Sequence, residues 1–589
     1  MKKLIKLFIG IILIIPFVVS ASQFKVELIN RHSAVDYAAS PVVYDDGSFL
    51  NVFLTSKPEN SSDYDCVVSK YDKDGNLLWK KTWGGTGYEY VYDMIIVPDN
   101  GFVITLVSSS IDIDGIVNNG GNDAVIVKFD DNGNVEWQKN WGGTKDDSLR
   151  YMVLSSDNYI YAVGSTESSE LFESKSIGPT EALLFKFDLN GNIIWVRDWG
   201  GNKADTFYGV NLDENDKPII VGNTLSTDIP GLIIDGATDA FVLKYDKDGN
   251  LLWQKRIGGD RVDMLYSYAY LNDSIIMTSY STSTVVSGFT NKGKRDVLIT
   301  NIDYDGNILW QILWGGNGYD YISDIKETSN GDYIMVGYTD STDIEGLENK
   351  GNNDVFILKI DKGGNILWQK GFGGIDSEFS DNVYILPSDE FLVGGSYSST
   401  ELEDMPNSGS TDIMFLIYDK YGNLLWNKGI GSAESDSIIY MLPISDNEFF
   451  IQACVNSTDI SNVTYELLFY KGTIVYDLNL NVQSNGTATL VQNAGKGIVT
   501  AKPDKGYEVD TIIIKNKNGE VLDLEIAKLE DGTYLFDLFT DVSVEVTFKE
   551  KIENPKTGIL DMITILFIGA VISTCGFILV KRYNERYEI

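Results

Sequence analysis

Short apolar runs separated by turn residues recur along most of this chain. One full unit spans residues 89–141 and holds four such runs: Glu89–Ile96, Gly101–Val107, Ala124–Phe129 and Val135–Trp141. The connections are rich in Asp, Asn, Gly and Pro, which favour tight turns and tolerate positive φ. Because the repeated units show no 3.6-residue apolar period, the pattern predicts units of four β-strands rather than helices.

A Gly-Asn turn followed by a tryptophan marks seven copies of this unit, and successive copies are 57 or 58 residues apart. The tryptophans are Trp79, Trp137, Trp195, Trp253, Trp310, Trp368 and Trp426. A fixed period is typical of a repeat architecture. Four short strands per repeat are typical of a β-propeller blade, so the chain is predicted to be all-β.

An eighth copy begins near Asp436 but lacks the tryptophan strand. The segment Phe24–Ile29 has the character of a lone strand and precedes the first copy, where a fourth strand would lie. We expect it to complete the eighth blade, since closing the ring removes exposed sheet edges. The prediction is an eight-bladed propeller over residues 24–472. Seven blades with an irregular end are the alternative.

These copies resemble the bacterial β-propeller repeat of the SBBP type over most of residues 36–472. The residues that carry the resemblance are Gly142, Gly143 and Asp147, then Gly101 with Phe102, then Lys128-Phe129-Asp130 and Gly133-Asn134. The Asp-x-x-Gly-Asn-x-x-Trp strand also resembles the docking strand of quinoprotein-type propellers, which implies that each ring docks between neighbouring blades. We therefore expect the tryptophans to serve packing rather than ligand binding.

A second module covers about residues 473–550, and its run Val542–Phe548 alternates apolar and polar positions, as a half-buried strand does. It resembles the divergent internalin B-type repeat of bacterial surface proteins. The resemblance implies a small β-domain that acts as a spacer or a minor adhesion unit.

The first 21 residues are predicted to be a secretory signal peptide. Basic residues at the start precede the apolar run Leu7–Val19, and small residues lead to a cleavage site after about Ala21.

Residues 551–589 carry the motif Asn554, Pro555, Lys556, Thr557, Gly558, then an apolar segment at 559–580 and the basic pair Lys581-Arg582. The apolar segment is long enough to span a bilayer. The order resembles an LPxTG-type cell-wall sorting signal of Gram-positive bacteria, which implies cleavage after Thr557 and its linkage to peptidoglycan by a sortase. Asn554 replaces the usual leucine and leaves the sortase class open. A simple membrane anchor is the alternative.

The net charge is −38 and the pI is about 4.3. Such a surface repels nucleic acid and anionic lipid, so we expect no nucleic-acid partner and membrane contact only through the C-terminal segment. Three cysteines in 589 residues exclude a disulfide framework. We expect an extracellular, cell wall-anchored monomer, held in the membrane before sorting.

Three acidic columns recur with the repeat. The first follows the Gly-Gly turn: Glu89, Asp147, Asp205, Asp263, Asp320, Glu378 and Asp436. The second opens the third strand: Asp65, Asp123, Glu181, Asp239, Asp296, Asp354 and Asp412. The third closes that strand: Asp72, Asp130, Asp188, Asp246, Asp303, Asp361 and Asp419. We expect these acids to cap turns through backbone N–H groups. A calcium-binding ring formed by the first column is the alternative, and no other cofactor is predicted.

The residue content does not favour an enzyme. His32 is the only histidine, the Cys and His residues form no zinc-binding pattern, and the chain lacks the vicinal cysteine pair general in quinoprotein dehydrogenases. We predict a non-enzyme that acts as an adhesin or ligand-binding module through the propeller face, with a host or environmental glycan or a matrix protein as partner.

The loops 108–122, 166–180, 224–238 and 398–411 differ in sequence while the strands repeat, which is typical of a binding face on a rigid scaffold. The alternatives are a passive wall component and a hydrolase or quinoprotein-like enzyme in the channel. Clustered exposed aromatic residues favour glycan binding, whereas two close carboxylates in a pocket favour hydrolysis.

Overall fold

The computed structural model describes residues 23–551 except for 36, 39–40, 58–59, 172–177, 233–236, 404, 446–447, 458–463, 476–477, 494–495, 517–518, 523, 525, 530–532 and 539–540. This part of the chain is all-β, and the one helical segment among its residues is a short 3-10 turn at Ser169–Leu171. The predicted signal peptide and the predicted sorting signal lie outside the described residues.

The chain begins with β1 (Gln23–Val35), and the first repeat follows as a five-stranded sheet. Its strands are β2 (Tyr37–Ala38), β3 (Val42–Val43), β4 (Phe49–Lys57), β5 (Asn60–Tyr71) and β6 (Leu77–Trp83).

Each later repeat forms four main antiparallel strands in chain order. They are β7 (Glu89–Ile96), β8 (Phe102–Ser108), β9 (Asp123–Phe129) and β10 (Val135–Trp141); β11 (Asp147–Leu154), β12 (Tyr159–Thr166), β13 (Glu181–Asp188) and β14 (Ile193–Trp199); β15 (Asp205–Leu212), β16 (Pro218–Thr224), β17 (Thr238–Tyr245) and β18 (Leu251–Ile257); β19 (Val262–Tyr270), β20 (Ser274–Ser281), the small hairpin β21 (Val285–Val286) and β22 (Phe289–Thr290), β23 (Asp296–Asp303) and β24 (Ile308–Trp314); β25 (Asp320–Glu327), β26 (Tyr333–Thr339), β27 (Asp354–Ile360) and β28 (Ile366–Phe372); β29 (Glu378–Ile385), β30 (Phe391–Tyr397), β31 (Asp412–Tyr418) and β32 (Leu424–Ile430).

The last repeat supplies β33 (Asp436–Ser445), β34 (Glu448–Ser457) and β35 (Thr464–Val475), and β1 is the fourth strand of its sheet. Gln23 pairs with Val475 and His32 pairs with Leu467 in an antiparallel register. The predicted pairing of the N-terminal strand with the last repeat is thus observed. β35 also continues three residues past 472, because Gln23–Lys25 pair with Thr473–Val475.

The second and third strands of the repeats are buried on both faces, as β8 and β9 illustrate at every position. Apolar clusters join neighbouring sheets: one contains Leu50 and Val68 of the first repeat with Ile104 and Val127 of the second. A strand buried on both sides needs apolar residues at consecutive positions, which explains the continuous apolar runs in the sequence. The repeated sheets packed face to face form a β-propeller.

The C-terminal module has two small sheets. Its strands are β36 (Leu478–Val482), β37 (Gly486–Asn493), β38 (Lys496–Pro503), β39 (Tyr507–Asn516), β40 (Ala527–Lys528), β41 (Thr533–Asp537) and β42 (Val542–Glu550). Phe536 and Val544 belong to one apolar cluster with Leu392 and Phe449, so the module packs against the last sheets of the propeller.

Candidate ligand-binding site

The first strand of each repeat lies on the inner side of the propeller. β7 contacts β11, β11 contacts β15, β19 contacts β25, and β25 contacts β29. Each first strand begins opposite the end of the second strand, where the long variable loop to the third strand starts; Glu89 pairs with Ser108, for example. Side chains near the start of a first strand therefore lie at the propeller face that carries the variable loops.

Five aromatic rings form a cluster at this face. Tyr266 and Tyr280 come from β19 and β20, Tyr321 and Tyr338 from β25 and β26, and Phe379 from β29. The ring centroids of Tyr321 and Tyr338 are 5.0 Å apart in a stacked arrangement, and those of Tyr338 and Phe379 are 4.9 Å apart edge to face. The hydroxyls of Tyr266 and Tyr338 are 3.2 Å apart, and the side chain of Tyr266 is 45 % exposed. The cluster thus presents aromatic surface to solvent.

A cavity of about 530 Å³ opens beside these rings. It is lined by Tyr266, Ser323, Tyr338, Phe379, Asp381, Ser396, Ser437 and Ile438. The lining comes from four consecutive repeats, so the packing of neighbouring sheets, rather than a single loop, sets its shape. Aromatic walls with a few polar groups are typical of ligand sites.

Asp381 is the one carboxyl group among the residues that line this cavity. Desolvation by the surrounding protein raises its pKa from 3.8 to about 7. Among the described residues, no basic side chain forms an ion pair with Asp381. A partly buried carboxylate without a compensating charge is unfavourable for folding, so this group is a candidate for ligand recognition.

Arg295 contacts two rings of the same aromatic cluster. The guanidinium carbon lies 4.5 Å from the centroid of the Tyr280 ring, 5.4 Å from that of Tyr319 and 5.8 Å from that of Tyr321. It also donates a hydrogen bond to the Tyr321 hydroxyl. These are cation–π geometries, so the cluster already holds one cation of the protein itself.

A second group of tyrosines lies on β7. Tyr90 and Tyr92 have ring centroids 5.0 Å apart, and Tyr88 precedes the strand, 6.0 Å from Tyr90. The guanidinium of Arg150, on β11, lies 5.5 Å from the centroid of the Tyr92 ring. Aromatic side chains with an arginine therefore occur in two places near the starts of first strands.

The first acidic column is buried and hydrogen-bonded to its own turns. Each carboxylate accepts a hydrogen bond of 2.6–3.0 Å from the backbone N–H of the residue four positions earlier. Hydroxyls at the end of the second strand donate to it as well, as Ser108 and Ser110 do to Glu89. Burial raises the pKa of Glu89 and Asp147, and raises that of Asp320 to about 6.

The carboxylates of the second column lie at the start of the third strands, close to the same Gly-Gly turns. The backbone N–H of Lys292 donates to Asp296 at 2.9 Å, and that of Lys350 donates to Asp354 at 2.8 Å. Burial raises the pKa of both carboxyls. These carboxylates lie so close to the first glycine of the Gly-Gly turn that a side chain would not fit there. A Cβ on Gly142 would lie 2.5 Å from the carboxylate of Asp123.

The third column caps the hairpins before the fourth strands. Asp72 accepts the N–H groups of Asp74 and Asn76 and the side-chain amide of Asn76. These bonds lower the pKa of Asp72, and the equivalent bonds lower that of Asp130. Backbone N–H groups thus donate to every acid of the first and third columns, as turn capping requires, and to Asp296 and Asp354 of the second. Asp239 of the second column instead accepts hydrogen bonds from the guanidinium of Arg256.

Calcium binding by the first column stays a prediction. In the part of the chain that the structure describes, no group of three or more His, Cys, Asp or Glu side chains is arranged to hold a metal ion. Cys66 and Cys454 are free thiols.

The repeat tryptophans connect neighbouring repeats. Five indole N–H groups donate to a backbone carbonyl in the hairpin of the next repeat: Trp79 to Asp131, Trp137 to Leu189, Trp195 to Lys247, Trp253 to Tyr304, and Trp310 to Lys362, at 3.0–3.3 Å. The rings of Trp79, Trp137, Trp253 and Trp310 lie against the glycine of that hairpin, and the ring of Trp368 lies against Gly422. At the hairpin that Trp195 contacts, the guanidinium of Arg197 lies against Gly249 instead. Trp426 is half-buried beside the apolar cluster shared with the C-terminal module. These contacts agree with docking between repeats.

Three further tryptophans form a second link. The indole N–H groups of Trp83, Trp199 and Trp314 donate to the side-chain oxygens of Gln138, Gln254 and Gln369 in the next repeat, at 2.8–3.0 Å. Each glutamine in turn donates to a loop carbonyl, as Gln254 does to Pro230. Outer strands are thereby tied to the variable loops.

Two predicted sites lie outside the described residues: the cleavage site at Ala21 and the motif at residues 554–558. The apolar segment 559–580 lies there as well. Among the described residues, no helix is long and apolar enough to cross a membrane.

Sequence reasoning missed the aromatic cluster and Asp381. A signal was available in the second and fourth residues of each first strand. These positions hold Tyr90 and Tyr92 in one repeat, Tyr321 and Ser323 in another, and Phe379 and Asp381 in the next. They vary while the acid at the start of the strand recurs, as expected of functional positions on a repeated scaffold.

No family model matches the chain. An uncharacterized WD repeat-containing protein of Acanthamoeba polyphaga mimivirus is 24% identical over an alignment of 197 residues, and the match covers 27% of this chain and 14% of that protein. The regulatory protein FlaEY of Caulobacter vibrioides is 22% identical over an alignment of 361 residues, and the match covers 53% of this chain and 36% of that protein. This chain therefore spans well under two thirds of the length of either relative.

Among solved structures, a puromycin hydrolase has a TM-score of 0.36 at 12% identity, covering 78% of this chain and 63% of that one. A polysaccharide lyase has a TM-score of 0.36 at 10% identity, covering 73% and 89%.

Proposed function

We propose that this chain is a surface protein of a Gram-positive-type bacterium whose propeller captures a ligand, as an adhesin does. The observation that carries the proposal is the aromatic cavity between Tyr266, Tyr338 and Phe379 at the face with the variable loops. Flat apolar surfaces with hydroxyls and a carboxyl nearby suit a host or environmental glycan or a side chain of a matrix protein.

The test is a screen of glycans and extracellular-matrix proteins with the purified full chain, once with calcium and once with EDTA. The expected result is binding that Tyr338→Ala abolishes. Loss of binding in EDTA would support the calcium-binding alternative for the first acidic column. A folded protein that binds nothing in either condition would contradict the proposal and favour the passive wall component.

The enzymatic alternative has less support. A carboxylate-pair glycosidase uses two carboxyl groups about 5–10 Å apart. Of the residues that line the cavity, Asp381 alone carries a carboxyl group. The lining therefore favours binding over hydrolysis.

We further propose that the propeller has eight blades. The pairing of β1 with β35 supports this count, because it adds a fourth strand to the last repeat. A ring closed by strands from both ends of the repeat array leaves fewer sheet edges open to other chains.

We propose attachment to the cell wall through Thr557, on the strength of the motif at residues 554–558 with the apolar segment and basic tail behind it. A Thr557→Ala variant is expected to stay in the membrane fraction, because the acyl transfer uses this residue. Digesting cell walls with a muramidase and blotting each fraction measures this. Release of the variant with peptidoglycan fragments would show that attachment does not use this motif.

A further inference from the structure

The cavity at the variable-loop face has two chemical features that point to the same kind of ligand. Its walls include the rings of Tyr266, Tyr338 and Phe379, with Tyr321 stacked behind Tyr338. The faces of aromatic rings carry negative electrostatic potential and attract cations. Its lining also includes the carboxyl group of Asp381, which the protein desolvates and which forms no ion pair with a basic side chain among the described residues.

The aromatic cluster already binds one cationic side chain of the protein itself. The guanidinium of Arg295 lies against Tyr280, Tyr319 and Tyr321. The cavity is lined by three further aromatic rings and a carboxyl group, but by no lysine or arginine. The cavity therefore offers a second cation position that the protein itself does not fill.

We propose that this cavity binds an organic cation, namely the alkylammonium or guanidinium group of a lysine or arginine side chain or of a small amine. The proposal rests on the function proposed above and names the chemistry of the ligand. The net charge of −38 agrees with it, because a strongly acidic protein concentrates cations near its surface.

A neutral sugar fits these observations less well. Sugar binding uses aromatic stacking and hydrogen bonds, and it gives no compensation to a desolvated carboxylate. A cation compensates that charge and also gains from the ring faces. Ionisation of Asp381 is required for this, and burial raises its pKa to about 7, so binding is expected to strengthen between pH 6 and pH 8.

The experiment is isothermal titration of the purified full chain at pH 8 and low ionic strength. The probes are N-acetyl-lysine amide, its trimethylated form, N-acetyl-arginine amide, the uncharged N-acetyl-norleucine amide, and N-acetylglucosamine. The charged amides are expected to bind at least about tenfold more tightly than the norleucine amide. A peptide with one lysine separates the two sources: tighter binding than the amide indicates a protein side chain, and equal binding indicates that a small amine suffices.

Two variants test the role of the carboxyl group. Asp381→Asn keeps the shape and is expected to weaken binding of the charged amides about tenfold and to remove the pH dependence. Glu327→Gln is the matched control, since Glu327 lines a different cavity at the opposite end of β25. It is expected to leave the affinity unchanged.

Equal affinity for lysine and norleucine amides, or unchanged binding by Asp381→Asn, would overturn the cation proposal. Binding of N-acetylglucosamine without binding of any charged amide would overturn it too, yet would leave ligand capture by the propeller standing. Failure of every probe and of the wider glycan and matrix screen would overturn both.

Discussion

At the scale of single residues, the fate of a carboxyl group depends on where the repeat places it. Asp72 lies at an exposed hairpin, where hydrogen bonds from backbone and amide groups lower its pKa. Asp320 and Asp381 are desolvated, which raises their pKa values to about 6 and about 7. Exposed capping acids thus stabilise the propeller in the ionised form, whereas buried acids stabilise it best when protonated.

The first prediction concerns Asp381. Its pKa in the folded protein, about 7, lies above the ordinary value of 3.8, so the folded state binds a proton more tightly than the unfolded state. Stability from this group is present at low pH and is lost as the pH rises toward 7. Asp381→Asn is therefore expected to raise the free energy of unfolding at pH 8 by about 2 kcal/mol, and to have little effect at pH 4.

Urea denaturation of both proteins at each pH measures this. A variant less stable than the parent at pH 8 would contradict the interpretation of Asp381 as a desolvated carboxylate. Stabilisation together with weaker cation binding would mean that the residue sacrifices stability for recognition.

The second residue-scale prediction concerns the glycine that the acids surround. Gly142→Ala is expected to lower the free energy of unfolding by about 1–3 kcal/mol, because the new methyl group would lie 2.5 Å from the Asp123 carboxylate. Gly371→Ala is the control, since its Cβ would meet atoms no closer than 3.7 Å. Thermal unfolding monitored by circular dichroism compares the two variants. Equal losses of stability would show that crowding at Gly142 does not affect the stability of the protein.

At the scale of strands and sheets, the tryptophan on each fourth strand transmits packing from one repeat to the next. The Trp137 N–H donates to the Leu189 carbonyl at 3.0 Å, and its ring covers Gly191. The hydrogen bond fixes the orientation of the indole, while the ring supplies most of the apolar area buried in this contact.

Substitutions of Trp137 separate these two contributions. Trp137→Phe keeps a ring and loses the donor, with an expected cost of about 1 kcal/mol. Trp137→Ala also loses the ring and is expected to cost about 3 kcal/mol or more. Chemical denaturation measures both, and equal costs for the two variants would mean that the ring contributes no packing energy.

The strands were largely predictable from the sequence, whereas the ligand site was not. Glu89–Ile96 and Val135–Trp141 were predicted with their observed bounds, because apolar runs ended by turn residues define strands locally. The cavity at Asp381 depends on which side chains from four repeats meet after the sheets pack. The spacing of residues along the sequence reveals the repeat but not the angles between neighbouring sheets. The residues that line the cavity could therefore be assigned to strands, but their proximity in space could not be predicted.

At the scale of the whole molecule, the propeller joins its two ends and carries the C-terminal module on its last sheets. β1 and β35 pair along most of their length, and Phe49 of the first repeat packs against Phe450 of the last at 4.2 Å between ring centroids. The C-terminal module shares an apolar cluster with β30 and β31. The two ends of the repeat array and the module therefore meet in one region.

Removing β1 tests the role of this closure. A chain lacking residues 23–35 is expected to melt several degrees lower and to form oligomers, because β35 would expose an unpaired edge. Size-exclusion chromatography with light scattering and thermal melts measure both effects. A synthetic peptide of residues 23–35 added in trans is expected to restore the monomer, and a deleted chain as stable and monomeric as the parent would show that β1 is dispensable.

The pairing of β1 with β35 also determines the order in which parts of the propeller can form during synthesis. Among the described strands β1 is synthesised first, and its partner begins only at residue 464. During that interval β1 lacks its partner strand, and the pairing that finally forms closes the longest loop among the described strand pairs. The pairing of β1 is thus a late event, and a chain truncated before residue 464 leaves β1 without its partner strand.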